Sequence, residues 1–219
     1  MANPKIQKMP TIRRLPTYLY KLSEMDKAGV SIVATPELAR YMNLAEIVIR
    51  KDLAVTGVSG QPGVGYKVPE LIDAIKRFLK WDSQSDAVLV GAGSLGHALL
   101  GYEGFEEYGL RIVAAFDADP AKIGTLAHGR HVYDIKELTT QMIELRIKIG
   151  IICVPAIYAQ GVADLMVAAG VKGIWNFANV SLKVPDSVVV QREVIAGGLA
   201  VLNVKLHQHS IDQESGVNE

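Results

Sequence analysis

The 219-residue sequence predicts an α/β protein in two parts: a small, mostly helical N-terminal unit, then a parallel sheet with helices on both faces and a closing C-terminal helix. Three observations carry this. From Ala87 onward, short apolar runs alternate with helix-forming stretches, the pattern of a parallel sheet crossed by helices. The first of these runs leads into Gly91-Ala92-Gly93-Ser94-Leu95-Gly96, a G-x-G-x-x-G turn followed by helix formers. Before Ala87, three short helical patterns precede a segment rich in glycine and proline.

The N-terminal elements follow in order. Leu15, Leu19, Leu22 and Met25 recur on one face, which predicts a helix over 12–28, stopped by Gly29. Thr35-Pro36-Glu37-Leu38 reads as a helix start, with Thr35 as the cap and Pro36 in the first helical position. That helix ends near Met42. A turn at Asn43 leads to a third helix over 45–56, closed by Gly57. A tight turn between two short helices is a helix-turn-helix layout. Residues 58–68 hold Gly60, Pro62, Gly63 and Gly65 between short apolar pieces, which predicts a β-hairpin in the position of a wing. Pro69 opens a helix over 70–80, and 81–86 is the linker. The boundaries are therefore 1–81 for a winged-helix domain and 86–191 for the sheet domain.

In the second part, strands are expected at 87–90, 111–116, 130–133, 148–154, 171–175 and 187–191, and helices at 94–101, 135–145 and 158–169. Residues 192–207 are apolar and helix-like despite Gly197-Gly198, each glycine costing roughly 1 kcal/mol against alanine inside a helix. This segment reads either as a terminal helix on the sheet or as an arm packed on a second subunit. The tail, 208–219, is polar and expected to be disordered.

The glycine turn has its own chemistry. Gly91 permits a sharp strand-to-helix turn, Gly93 lets a pyrophosphate approach the backbone, and Gly96 lets the helix sit close to the strand. The free amides at the helix start would receive the pyrophosphate. About twenty residues further on, a second apolar run ends in Asp117, placed to accept hydrogen bonds from an adenosine ribose and to repel the extra phosphate of NADP. Together these features define a Rossmann-type sheet.

The zero net charge hides an asymmetry. Residues 1–80 carry 13 Lys+Arg against 7 Asp+Glu, and the remainder carries 10 against 16. A basic segment joined to an acidic one suggests that only the first meets a polyanion; the other reading is two unevenly solvated surfaces. Arg50 and Lys51 on the third helix likewise read either as groove contacts or as a solvated basic face. No apolar run reaches membrane-spanning length, and residues 1–5 lack an apolar signal region, so a cytoplasmic protein is expected. The single Cys153 excludes an internal disulfide framework and a cysteine zinc cluster. None of His97, His128, His131, His207 and His209 is placed to act on a nicotinamide ring. Cys153 reads as an inert thiol. Residues 154–160 and 175–179 fall at the ligand-binding edge of the sheet. A pocket so apolar and so poor in acid–base groups suits sensing a nucleotide better than turning it over.

The layout resembles the redox-sensing transcriptional repressor Rex family. The matching pieces are Arg14-Leu15-Pro16 with Tyr18, Ile49-Arg50-Lys51-Asp52-Leu53, Gly63-Val64-Gly65-Tyr66-Lys67-Val68, the glycine turn, Phe116-Asp117, Val154-Pro155 with Ala159-Gln160, and Gly173-Ile174-Trp175-Asn176-Phe177-Ala178. The resemblance implies a homodimer with a domain-swapped C-terminal helix that binds a palindromic operator in double-stranded DNA when NADH is scarce relative to NAD+ and lets go when NADH binds. It implies no catalytic residue and no metal. For the cofactor the glycine turn and the resemblance point to Gly91, Ala92, Gly93, Ser94, Leu95, Gly96 and Asp117, with Val154, Pro155 and Ala159 lining it at the sheet edge and, by the resemblance, Tyr102, Asn176 and Phe177 near the nicotinamide. For DNA it implies Arg14, Thr35, Arg50, Lys51 and Lys67. The chain departs from the family pattern at Pro62, where the wing usually carries a cation, and at Val194, where an Asp is usual. Two other readings of the same residues are a relative with an altered operator or switch, and a small NAD-dependent oxidoreductase.

Overall fold

The computed structural model describes the backbone of residues 9–215 and side chains as far as Gln208. The chain divides into two compact units, Met1–Gln84 with Glu106–Gly109, and Ser85–Phe105 with Leu110–Glu219.

The first unit runs α1 (Met9–Lys27), β1 (Ile32–Val33), α2 (Thr35–Met42), α3 (Glu46–Ala54), β2 (Tyr66–Lys67) and α4 (Val68–Leu79). Its core is the apolar faces of these helices, with Leu15, Tyr18, Leu22, Leu38, Ile49, Leu53, Leu71 and Ile75 fully buried. Asn43 takes the left-handed conformation (φ +51°) that ends α2, and the Leu44 amide donates back to the Ala39 carbonyl. This is the tight turn before α3, and asparagine tolerates that backbone better than most residues.

Two expectations change here. Thr35 does not cap α2. Ala34 is the N-cap, with extended backbone and no side-chain hydrogen bond, so Thr35 and Pro36 are the first helical residues. The cause is β1, which delivers an extended chain directly into the helix. The wing is not a self-contained hairpin either. β2 pairs antiparallel with β1, and only the Gln61–Gly65 bridge closes the tip. Gly65 (φ +113°) makes this possible, because any Cβ there would collide with the Val33 carbonyl.

The second unit contains β3 (Ser85–Val90), α5 (Ser94–Leu100), α6 (Gly104–Glu107, whose last residues group with the first unit), β4 (Leu110–Asp117), β5 (Leu126–Ala127), β6 (Arg130–Asp134), a 3-10 turn into α7 (Leu138–Glu144), β7 (Ile149–Ile152), α8 (Ala156–Ala168), β8 (Gly173–Asn176), β9 (Val189–Arg192) and α9 (Ala196–Ser215). The sheet order is β5-β6-β4-β3-β7-β8-β9, parallel except for β5 against β6. Setting β5 aside, this is the doubly wound order of dinucleotide-binding sheets, which reverses between β3 and β7. One core layer joins the sheet to α7 and α8 through Val90, Phe116, Met142, Ile152 and Met166. The other, on Leu89, Leu100, Ala115 and Ile151, covers the opposite face.

α9 extends past the expected stop at His207. The segment predicted to be a disordered tail is helical as far as Ser215, since no glycine or proline interrupts it before Gly216. Leu199, Val201, Leu202, Val204 and Leu206 on this helix are each more than half exposed. No helix among the described residues is long and apolar enough to cross a membrane.

Candidate nucleotide cleft and candidate nucleic-acid interface

A cleft of about 870 Å³ opens at the C-terminal ends of β3, β4 and β7, where the strand order reverses. Its size and position are those of a ligand crevice in this class of sheet. The three glycines of the turn differ in what they do. Gly91 has φ +100°, and a Cβ there would lie 2.8 Å from the Cys153 backbone. Gly96 lies so close to the Gly91 carbonyl that a Cβ would collide with it, which fixes α5 against β3. Gly93 has ordinary negative φ and nothing within 4 Å of a Cβ, so it opens bare backbone onto the cleft. α5 begins there without a side-chain cap, leaving the amides of Ser94, Leu95 and Gly96 without intrahelical partners. These features fit a dinucleotide, with bare backbone where the pyrophosphate needs close approach.

Asp117 ends β4 at the cleft. Its Oδ2 accepts from the Ala92 amide at 2.8 Å and from Lys122 Nζ at 3.1 Å, and its Oδ1 accepts from the Asp119 amide at 2.9 Å. Burial pushes its pKa up, but the Asp119 amide and Lys122 outweigh that, so the carboxyl sits below its usual range. Burial pushes the Cys153 thiol up to about 12. That matches an inert thiol, since the thiolate is the reactive form.

Gly91, Gly93, Asp117, Val154 and Pro155 line the cleft as expected. Ala92 and Gly96 are buried in the turn, while Ser94 is exposed and Leu95 partly exposed on the first turn of α5. Ala159 is fully buried in the sheet–helix core, one helix turn from cleft-lining residues of α8. Asn176 is also fully buried. Its Nδ2 donates to the Val180 carbonyl and its Oδ1 accepts from the Ala178 amide, so its side chain shapes the loop after β8. Tyr102 and Phe177 lie at the two ends of an aromatic row, Tyr102–Phe105–Trp175–Phe177, with ring centroids 4.8, 5.6 and 4.9 Å apart. Neither lines the cleft. Sequence reasoning missed Asp119 and Lys122, although two acids and a cation within five residues of a strand end were there to be read.

In the first unit, Arg50 and Lys51 are exposed on α3. Arg50 pairs with Glu46 one turn away at 3.1 Å. A groove of about 450 Å³ brings Arg50 together with Thr35, Pro36 and the 60–66 tip. Lys67 is exposed and pairs with Glu70 at 2.7 Å. Arg14 is held from the inside. Its guanidinium grips Asp52 with Nε at 2.6 Å and Nη2 at 2.7 Å, and Thr11 and Tyr18 donate to the same carboxylate at 2.7 and 3.0 Å. The fork is bonded to a buried acid, so Arg14 ties α1 to α3. Burial raises the Asp52 pKa, but Arg14, Thr11 and Tyr18 bring it below the usual carboxylate range. Burial and Asp52 raise the Tyr18 phenol.

Comparison with known proteins agrees with both halves. The CoA binding domain family matches residues 82–180, and the family described as putative DNA-binding protein N-terminus matches 9–54. The redox-sensing transcriptional repressor Rex of Treponema denticola is 44% identical over 94% of this chain and 99% of its own. That of Carboxydothermus hydrogenoformans is 41% identical over 90% and 95%. Among solved structures, RSP in complex with β-NAD+ and operator DNA is similar with TM-score 0.85 at 34% identity, over 96% of this chain and 97% of that one. RSP in complex with β-NADH also has TM-score 0.85, at 33% identity over 96% and 99%. The chain belongs to the redox-sensing transcriptional repressor Rex family.

Proposed function

We propose that this chain is a transcriptional repressor whose hold on operator DNA is set by whether NADH or NAD+ occupies the cleft. One observation carries the reading: a single chain joins a bare Gly93 turn facing Asp117 to a unit whose third helix exposes Arg50 and Lys51. The family is one of repressors and not of enzymes. Gly91–Gly96 would take the pyrophosphate, Asp117 the adenosine ribose, and Val154 and Pro155 the apolar wall beside the nicotinamide. Tyr102 and Phe177, at the ends of the aromatic row, belong to the nicotinamide side by the family resemblance. When bound, the cofactor supplies only its oxidation state, a neutral dihydropyridine against a cationic pyridinium. A ligand shifts a conformational equilibrium only through different affinities for its two states, so NADH must favour the arrangement that does not fit DNA.

The operator is read as a palindrome by a homodimer, with Arg50 and Lys51 in the major groove and Thr35 and Lys67 nearby on the backbone. A two-fold dimer sets its recognition helices about one DNA turn apart, roughly 34–36 Å. The exposed apolar side chains of α9 supply the surface for a partner subunit, since a lone helix rarely leaves so many uncovered. The protein works in the cytoplasm, where the pyridine nucleotide pool and the DNA are both in reach. The test is fluorescence anisotropy of a labelled palindromic duplex at varied NADH/NAD+ ratio. Release on NADH but not on NAD+ is expected. Binding that ignores NADH rejects the reading.

A further inference from the structure

We propose that Lys122 is a latent partner for a 2′-phosphate, held silent by Asp117, so that choice of NADH over NADPH rests on the Asp117–Lys122 pair and not on the acid alone. The inference rests on the reading of the cleft as a dinucleotide site. Lys122 is the one cation among the described residues that line it. Its Nζ lies 3.1 Å from Asp117 Oδ2 and 3.7 Å from Asp119 Oδ2. The loop that carries it is ordered, with the Ala121 amide donating to Asp119 Oδ1 at 3.0 Å and the Lys122 amide to the Asp119 carbonyl at 3.0 Å.

Counting acceptors shows why Lys122 matters. A carboxylate offers about four acceptor positions. Three on Asp117 are already taken, by the Ala92 amide, the Asp119 amide and Lys122. Two ribose hydroxyls therefore need one more position than is free. The two amides are backbone and fixed in place. Lys122 sits on a four-carbon stem and is the donor that can yield, moving onto Asp119 beside it. With a 2′-phosphate in place of the hydroxyl, Asp117 repels the ligand while Lys122 attracts it. As long as both are present, Asp117 with Asp119 beside it outweighs the single cation, and a 2′-phosphate is refused. Remove the acid, and a cation capable of charge-assisted hydrogen bonds to phosphate remains in the cleft.

The experiment titrates the full chain with NADH and NADPH, followed by calorimetry, for wild type, Asp117→Ser, Asp117→Ser/Lys122→Gln and Lys122→Gln. Asp117→Ser should bind NADPH at least tenfold more tightly than wild type, and adding Lys122→Gln should abolish that gain. Lys122→Gln alone should widen the preference for NADH over NADPH at least threefold, because Asp117 then repels the 2′-phosphate unopposed. No NADPH gain in Asp117→Ser overturns the proposal, as does a gain that survives Lys122→Gln. A preference for NADH over NADPH in Lys122→Gln no wider than that of wild type also overturns it, because Lys122 would then do nothing to offset Asp117. The reading of the site fails separately: if Asp117→Ser leaves NADH affinity unchanged, Asp117 does not hold the ribose and both fall. Should thermal melts show Asp117→Ser unfolded, Asp117→Asn, which keeps an acceptor for the amides, carries the same comparisons.

Discussion

At the scale of single residues, one glycine motif contains two different requirements. Gly96 is required by the protein, because the Gly91 carbonyl occupies the place of its Cβ. At Gly93 nothing in the protein occupies that place, and in the proposed reading the pyrophosphate does. Gly96→Ala should therefore destabilise the chain by about 1–3 kcal/mol, the usual cost of overpacking, and weaken nucleotide binding with it. Gly93→Ala should leave the melting temperature unchanged and weaken NADH binding at least tenfold. Thermal melts and NADH titration of both variants separate the two roles; a destabilised Gly93→Ala with normal binding would reverse the assignment. The glycine spacing and Asp117 were legible in the sequence because fixed backbone geometry demands those residue types at those offsets. Ala159 and Asn176 were not. Each sits beside the cleft in sequence, but helix phase turns Ala159 into the core, and a local turn occupies both polar atoms of Asn176.

At the scale of elements, the sheet was legible nearly strand for strand, because buried parallel strands are short apolar runs between helices. What escaped was short: β1, β5 and α6 have two to four residues each, too few to show any period. β1 matters most of these, since it recruits β2 and moves the start of α2 to Thr35. Asp52 escaped for another reason. In the sequence it continues the charged run of Arg50 and Lys51, yet in the fold it is buried and accepts from three side chains of α1. Asp52→Ala should cost about 3–5 kcal/mol, because it strands a half-buried guanidinium. The pH dependence follows from the directions of the shifts. Asp52 and Asp117 titrate lower in the folded chain than when unfolded, so their stabilisation is complete above about pH 4 and fades as pH falls toward the folded values. Urea midpoints measured from pH 6 to pH 3 should fall more steeply for wild type than for Asp52→Asn. Parallel slopes would mean that the Arg14–Asp52 strut contributes little.

At the scale of the whole molecule, function is a coupling between two sites, and coupling leaves no pattern in a sequence. Charge asymmetry, a glycine fingerprint and the family resemblance showed which two ligands to expect. They did not show the contact between Lys122 and Asp117, nor the exposure of the apolar side chains along α9. Thermodynamic linkage makes the coupling measurable from either end, since two ligands that oppose each other must do so by the same factor. Typical couplings of 1–3 kcal/mol correspond to roughly 5–150-fold in affinity. The most direct measurement is therefore NADH affinity by calorimetry with and without a saturating palindromic operator duplex. A weakening of at least fivefold on DNA, matched by an equal weakening of operator affinity under saturating NADH, is the expected result. NADH affinity that does not change when the duplex is bound would contradict the account.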